Sequence, residues 1–61
     1  MRLEIEHFGR KYRAVAFVYK DFIELNSFYG CKTFPREGDP EAQATAVLHE
    51  IVSAYREFYC G

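Results

Sequence analysis

The stretch from Asp39 to Cys60 limits the fold more than any other part of the sequence, because it is the only long helix that the chain predicts. Asp39 is a favourable N-cap, since its carboxylate can accept hydrogen bonds from the free N–H groups of the first turn. Pro40 suits the first helical position, and no Gly or Pro follows it until Gly61. The pattern predicts a helix over residues 40–59 whose apolar side chains share an arc of about 160°.

The residues before this helix have the pattern of β-strands. Residues 2–8 alternate apolar and charged side chains, as in a strand with one solvated face, and residues 11–19 are apolar on both faces, as in a central strand. A third strand is expected over residues 22–29 and a short fourth over residues 31–34. Gly9-Arg10 and Lys20-Asp21 are the expected tight turns.

The element order therefore predicts an α+β fold in one domain, residues 1–61. We expect an antiparallel meander of three strands, or four if residues 31–34 form a strand, with the C-terminal helix packed on one face. The expected core contains the large apolar side chains of one sheet face and of the helix arc: Leu3, Ile5, Val15, Phe17, Ile23, Leu25, Phe34, Val47, Leu48, Ile51, Tyr55 and Phe58.

The apolar content exceeds what one helix on one sheet face can bury. Aromatic residues make up 18% of the chain and hydrophobic residues 49%, and exposed apolar patches usually mark interaction sites. We therefore expect a homodimer or another protein complex. The predicted interface consists of the apolar residues expected on the sheet face that the helix leaves uncovered, which are Phe8, Tyr12, Val18, Phe22 and Phe28, and of Val52 and Tyr59 at the edge of the helix arc.

The polar residues give little indication of catalysis or metal binding. His7, Cys31, His49 and Cys60 are far apart in the sequence, whereas metal sites normally use closely spaced ligand pairs. No phosphate-binding glycine loop, Ser/His/Asp set or HExxH motif is present. We expect a protein that is not an enzyme and that has no cofactor, metal or catalytic residue. The sequence has no apolar run long enough to cross a bilayer, so we expect no membrane partner and a cytoplasmic location.

Three short segments resemble a known DNA-binding family. They are Gly9-Arg10-Lys11-Tyr12-Arg13-Ala14, Lys32-Thr33-Phe34-Pro35, and Glu41-Ala42 at the start of the helix. They are similar to the AP2-like amino-terminal arm-binding domains of tyrosine recombinases, which place three strands before a helix and read DNA with the sheet in the major groove. The resemblance implies that Arg10, Lys11, Arg13 and Lys32 would face DNA.

The leading functional expectation is a small interaction module that is not an enzyme and that acts as a homodimeric inhibitor or adaptor of another protein. Its size is typical of such proteins encoded by phages and other mobile elements. One alternative is a nucleic-acid-binding domain that uses the basic residues of the sheet. Another is a dimer that sequesters a small ligand between two sheets. The net charge of −1 gives no overall attraction to nucleic acid.

Overall fold

The computed structural model describes residues 1–59, and the surroundings of side chains for residues 1–55. The elements are β1 (Arg2–His7), β2 (Arg10–Val18), β3 (Phe22–Ser27), β4 (Gly30–Pro35) and α1 (Pro40–Tyr59). The four strands form one antiparallel sheet in the order β1-β2-β3-β4, and α1 packs on the sheet. The predicted α+β meander with a C-terminal helix is confirmed, and the fourth strand is present.

The first hairpin turn consists of Phe8 and Gly9, one residue earlier than the expected Gly9-Arg10 turn. Both residues have positive φ, 52° and 80°, as two-residue turns that match the twist of a hairpin require. His7 consequently pairs with Arg10, and Leu3 pairs with Ala14. A two-residue turn pairs odd-numbered residues of β1 with even-numbered residues of β2, so Leu3 and Ile5 share a face with the even-numbered side chains of β2.

The expected core was therefore wrong for the central strand. Ala14 and Ala16 face the helix and are buried, whereas Val15 and Phe17, which we expected in the core, are exposed on the other face of the sheet. The physical reason is the register of the two strands. The length of the turn decides whether the even-numbered or the odd-numbered side chains of β2 face the helix, and the size of those side chains does not change this. Small side chains at the centre of the sheet also leave room for the large residues of the helix.

The buried core is one cluster between the sheet and the helix. Ile23, Leu25, Leu48 and Val52 are its largest fully buried side chains. Ile51 is only partly buried against this cluster, Tyr55 is half-buried, and the predicted core residue Phe58 lies outside the residues whose side chains are described. The complete buried set is Leu3, Ile5, Tyr12, Ala14, Ala16, Ile23, Leu25, Phe34, Ala44, Val47, Leu48 and Val52.

The start of the helix is held by Gln43 as well as by Asp39. The backbone N–H of Gln43 donates to the Asp39 carbonyl oxygen at 3.0 Å. The Gln43 side chain accepts from the Glu37 N–H at 2.8 Å and donates to the Pro35 carbonyl oxygen at 2.6 Å. The two side-chain bonds connect the first turn of α1 to the end of β4 and to the loop that follows it. No helix within residues 1–59 combines the length and apolar character needed to span a membrane.

Candidate interaction surface

The sheet face turned away from the helix carries a cluster of exposed apolar side chains. Val15 and Phe17 project from β2, Tyr19 follows that strand, and Phe22 begins β3. Tyr19 and Phe22 stack with ring centres 4.5 Å apart and planes 19° from parallel. We call Val15, Phe17, Tyr19 and Phe22 the open-face patch. Their exposed fractions, 38–47%, are high for large apolar side chains in a structured sheet. Contiguous exposed apolar patches usually mark interaction sites.

Charged pairs lie beside the patch toward β1. Glu4 is opposite Arg13, and Glu6 is opposite Lys11. The Arg13 Nε donates to the Glu4 carboxylate at 3.2 Å, but both side chains are largely exposed, so the pair contributes little to stability. Arg2 and Glu24 lie on this face too, each opposite a patch residue, so the face carries three cations and three acids. The open-face patch therefore adjoins a surface that is polar and close to neutral, as expected for the rim of a protein interface.

The residues predicted for the interface fall into three groups. Val18 and Phe22 are exposed near the β2–β3 turn, and Phe8 and Phe28 are exposed in the two turns at the opposite end of the sheet. Tyr12 and Val52, by contrast, are buried between the sheet and the helix. Tyr59 is outside the residues whose side chains the structure describes. The structure therefore does not bring the predicted interface residues together on one surface.

Sequence reasoning missed three members of the patch: Val15, Phe17 and Tyr19. The sequence predicts Val15 and Phe17 for the core instead, and Tyr19 for neither the core nor the interface. The signal that could have found them is the spacing of the first turn. Any two-residue turn between β1 and β2 places Leu3 and Ile5 on the same face as the even-numbered residues of β2, which leaves the odd-numbered ones outside.

The four basic residues suggested for nucleic acid also divide between faces. Lys11 and Arg13 have the same odd parity as the patch residues of β2 and therefore lie on the open face. Arg10 and Lys32 occupy the opposite parity, since Arg10 pairs with His7 and Lys32 pairs with the core residue Leu25. The open face thus presents two of the four cations, each paired in register with a glutamate.

A second cluster lies at the other end of the sheet, around the hairpin turns. Tyr12 contacts Tyr29 edge-to-face with ring centres 4.9 Å apart, and Tyr29 contacts Tyr55 of the helix in the same way at 5.1 Å. His7 lies beside this series, with its ring centre 6.5 Å from that of Tyr12. Aromatic pairs of this geometry are worth about 0.5–1.5 kcal/mol beyond the area they bury. The cluster joins both hairpins to the helix.

The described residues offer little for metal or thiol chemistry. No group of three or more His, Cys, Asp or Glu side chains within residues 1–59 is placed to hold a metal ion. Cys31 is an exposed free thiol on β4, and Cys60 lies outside the described residues. The most distinctive surface of the described chain is therefore the apolar one.

Comparison of the chain with protein-family models, with curated protein sequences and with solved structures gives no match. The functional argument therefore rests on the geometry of the chain itself.

Proposed function

We propose that the protein is a small interaction module that is not an enzyme and that forms a homodimer through the open-face patch. The observation that carries this proposal is the exposure of four large apolar side chains on one side of the sheet. Placing such side chains against protein rather than water contributes about 25 cal/mol for each Å² of apolar surface removed from solvent. A partner of complementary shape would therefore bind at this face.

A second copy of the chain is the partner that best fits the patch. In a two-fold dimer the same surface contacts itself, so one apolar patch is enough to cover both copies. Net charge is close to zero and the open face carries equal numbers of cations and acids, so two copies would approach without strong repulsion. A chain of 61 residues buries a smaller fraction of its surface on folding than a larger domain does, so such association would add stability.

Dimerisation through the patch would leave the exposed aromatic residues at the far end of the sheet accessible. Phe28 is 90% exposed and Phe8 is 75% exposed, both in turns. Aromatic side chains at such positions are typical anchors for a protein partner. In this proposal the dimer acts as an inhibitor or adaptor, with the turn aromatics contacting the target protein.

Sedimentation of a paired variant tests the dimer. Replacing Phe17 and Phe22 with Ser removes most of the apolar area of the patch, whereas both side chains lie outside the core, so we expect a folded monomer. The control is Phe28→Ser, which removes an even more exposed aromatic residue at the opposite end of the sheet and should leave the dimer intact. A double variant that still sediments as a dimer would contradict the proposal.

A further inference from the structure

Two charged side chains flank the open-face patch on opposite sides. Arg2 of β1 is opposite Val15 in the ladder, and Glu24 of β3 is opposite Phe17. Since residues that are opposite each other in neighbouring strands share a face of the sheet, both charges lie on the open face. The apolar side chains of β2 therefore lie between a cation on one side and an acid on the other.

Neither of these charges has a partner within its own chain. Among residues 1–55, the ion pair of the open face joins Arg13 to Glu4, and no side-chain hydrogen bond involves Arg2 or Glu24. Arg2 is exposed, and Glu24 is half-buried beside the patch. Both charges are thus available to a group that approaches the face from outside the chain.

A groove on the Arg2 side of the patch has room for a side chain of a partner. Its volume is about 430 Å³, and it is lined by Arg2, Leu3, Glu4, Arg13 and Val15. Because Glu4 already accepts from Arg13, Arg2 is the lining cation that has no carboxylate among residues 1–55. An acidic side chain is therefore the group that best complements this groove.

The symmetry of a dimer determines which charges meet. Two copies that face each other are related by a two-fold axis that lies in the plane between their sheets. If the axis runs along β2 and passes between Val15 and Phe17, the β1 side of one copy faces the β3 side of the other. Arg2 and the Glu24 of the second copy are then offset by two residues along the strand, about 7 Å, across sheets about 10 Å apart. An arginine and a glutamate side chain together span this separation, and the symmetry produces the contact twice.

The other aligned arrangement of the two sheets places like charges together. If the axis runs across the strands, β1 of one copy faces β1 of the other, so Arg2 approaches Arg2 and Glu24 approaches Glu24. Like charges that face each other at an interface cost affinity, whereas opposite charges fix its orientation. The charges beside the patch therefore favour the axis that runs along β2.

We propose that Arg2 and Glu24 are the pairing residues of the dimer and form two reciprocal ion pairs across its two-fold axis. This inference rests on the proposed dimer and adds its orientation and its selectivity. The partner that fits the face carries an acid and a cation on opposite sides of an apolar centre, and a second copy of the chain meets this requirement. The apolar patch supplies most of the affinity, and the ion pairs at its rim determine which surfaces match.

Charge reversal tests the pairing. Arg2→Glu places two acids together at both contacts, and Glu24→Arg places two cations together. Each change should raise the dissociation constant of the dimer at low salt by about 10- to 100-fold, since two attractive pairs become repulsive. A chain with both reversals has the net charge of the unmodified protein and again joins opposite charges, so it should dimerise with close to the original affinity. An equimolar mixture of the two single variants should form mixed dimers in preference to either homodimer, as measured by sedimentation and native mass spectrometry.

A second pair of variants controls for net charge. Lys32→Glu and Glu50→Arg change the charge of the chain by the same amounts. Lys32 has the parity of the core residue Leu25, and Glu50 is exposed on the helix, so neither lies on the open face. We expect both variants to dimerise like the unmodified protein, alone and in a mixture. A preference for mixed dimers as strong as that of the Arg2 and Glu24 variants would show that net charge causes it, which would refute the pairing.

The outcomes distinguish failure of the pairing from failure of the dimer. If the Phe17 and Phe22 double variant remains dimeric, the open-face dimer itself is wrong. If that variant is monomeric but both charge reversals leave the dissociation constant unchanged, the dimer stands and the pairing is refuted. The orientation is wrong if Arg2→Glu binds the unmodified chain more tightly than the unmodified chain binds itself.

Neutral variants repeat the test without adding repulsion to the folded chain. Arg2→Gln and Glu24→Gln each remove both attractive contacts and should weaken the dimer severalfold at low salt. High salt should reduce this difference, because the contacts lie at the rim of the interface where ions screen them. An unchanged dissociation constant in both variants would refute the pairing.

Discussion

Adjacent substitutions in β2 should have opposite effects on folding, because neighbouring side chains lie on opposite faces of the sheet. Ala16 is fully buried opposite Leu25, beneath the helix, whereas Val15 projects from the open face. Ala16→Leu forces a larger side chain into a closed core, which typically costs about 1–3 kcal/mol. Val15→Leu changes a side chain of the exposed face and should remain within about 0.5 kcal/mol.

The magnitude is large for a protein of this size. Native domains are stable by about 0.05–0.15 kcal/mol per residue, which for this chain is about 3–9 kcal/mol. Ala16→Leu should therefore remove a substantial part of the free energy of unfolding. With a urea dependence of about 1 kcal/mol per molar for a small domain, the midpoint should fall by about 1–3 M.

Circular dichroism during urea titration measures both variants at a protein concentration low enough to keep the chain monomeric, because Val15 belongs to the proposed interface. We expect Ala16→Leu to unfold at clearly lower urea than the unmodified protein and Val15→Leu to unfold close to it. If Val15→Leu were the damaging change and Ala16→Leu the neutral one, the assignment of faces in β2 would be wrong.

Three other substitutions test local features, each by urea denaturation. Phe8→Asn should raise stability by about 0.5–1 kcal/mol, because Phe8 has a φ of 52° that Asn adopts more readily; no gain would mean that contacts of the Phe8 ring offset the strain. Gly30→Ala should cost about 1–3 kcal/mol, since φ is 155° and a Cβ would lie 3.3 Å from Ile51 Cγ2; an unchanged midpoint would show that β4 relaxes around it. Gln43→Ala should cost about 1 kcal/mol by removing two exposed side-chain bonds, to Glu37 and Pro35; an unchanged midpoint would show that solvent replaces both bonds.

The order and type of the elements could be predicted from local sequence. The local signals are the start of the helix at Pro40, the alternation of residues 2–8 and the breaks near Gly9 and Gly30. In the structure α1 begins at Pro40, β1 spans Arg2–His7, and strands end or begin near Gly9 and Gly30. The helix residues that face the sheet, such as Val47 and Leu48, also follow from the period of the helix.

The faces of the central strand could not be predicted from side-chain size. β2 is apolar on both sides, so its composition does not distinguish the buried face from the exposed one, and only the parity of the turn decides it. The contact between His7 and His49 could not be predicted either. It joins residues 42 positions apart and depends on where the helix crosses the sheet.

The mass of the unmodified protein in solution, measured by light scattering at low and at high salt, tests the central claim most directly. An interface formed by the open-face patch is apolar, so the account predicts a mass of twice 7.2 kDa at both salt concentrations, because salt screens charges and leaves apolar contacts largely unaffected. A monomer at both concentrations would contradict the proposal that a second copy covers the patch. A dimer only at low salt would show that charged residues, and not the open-face patch, hold the two chains together.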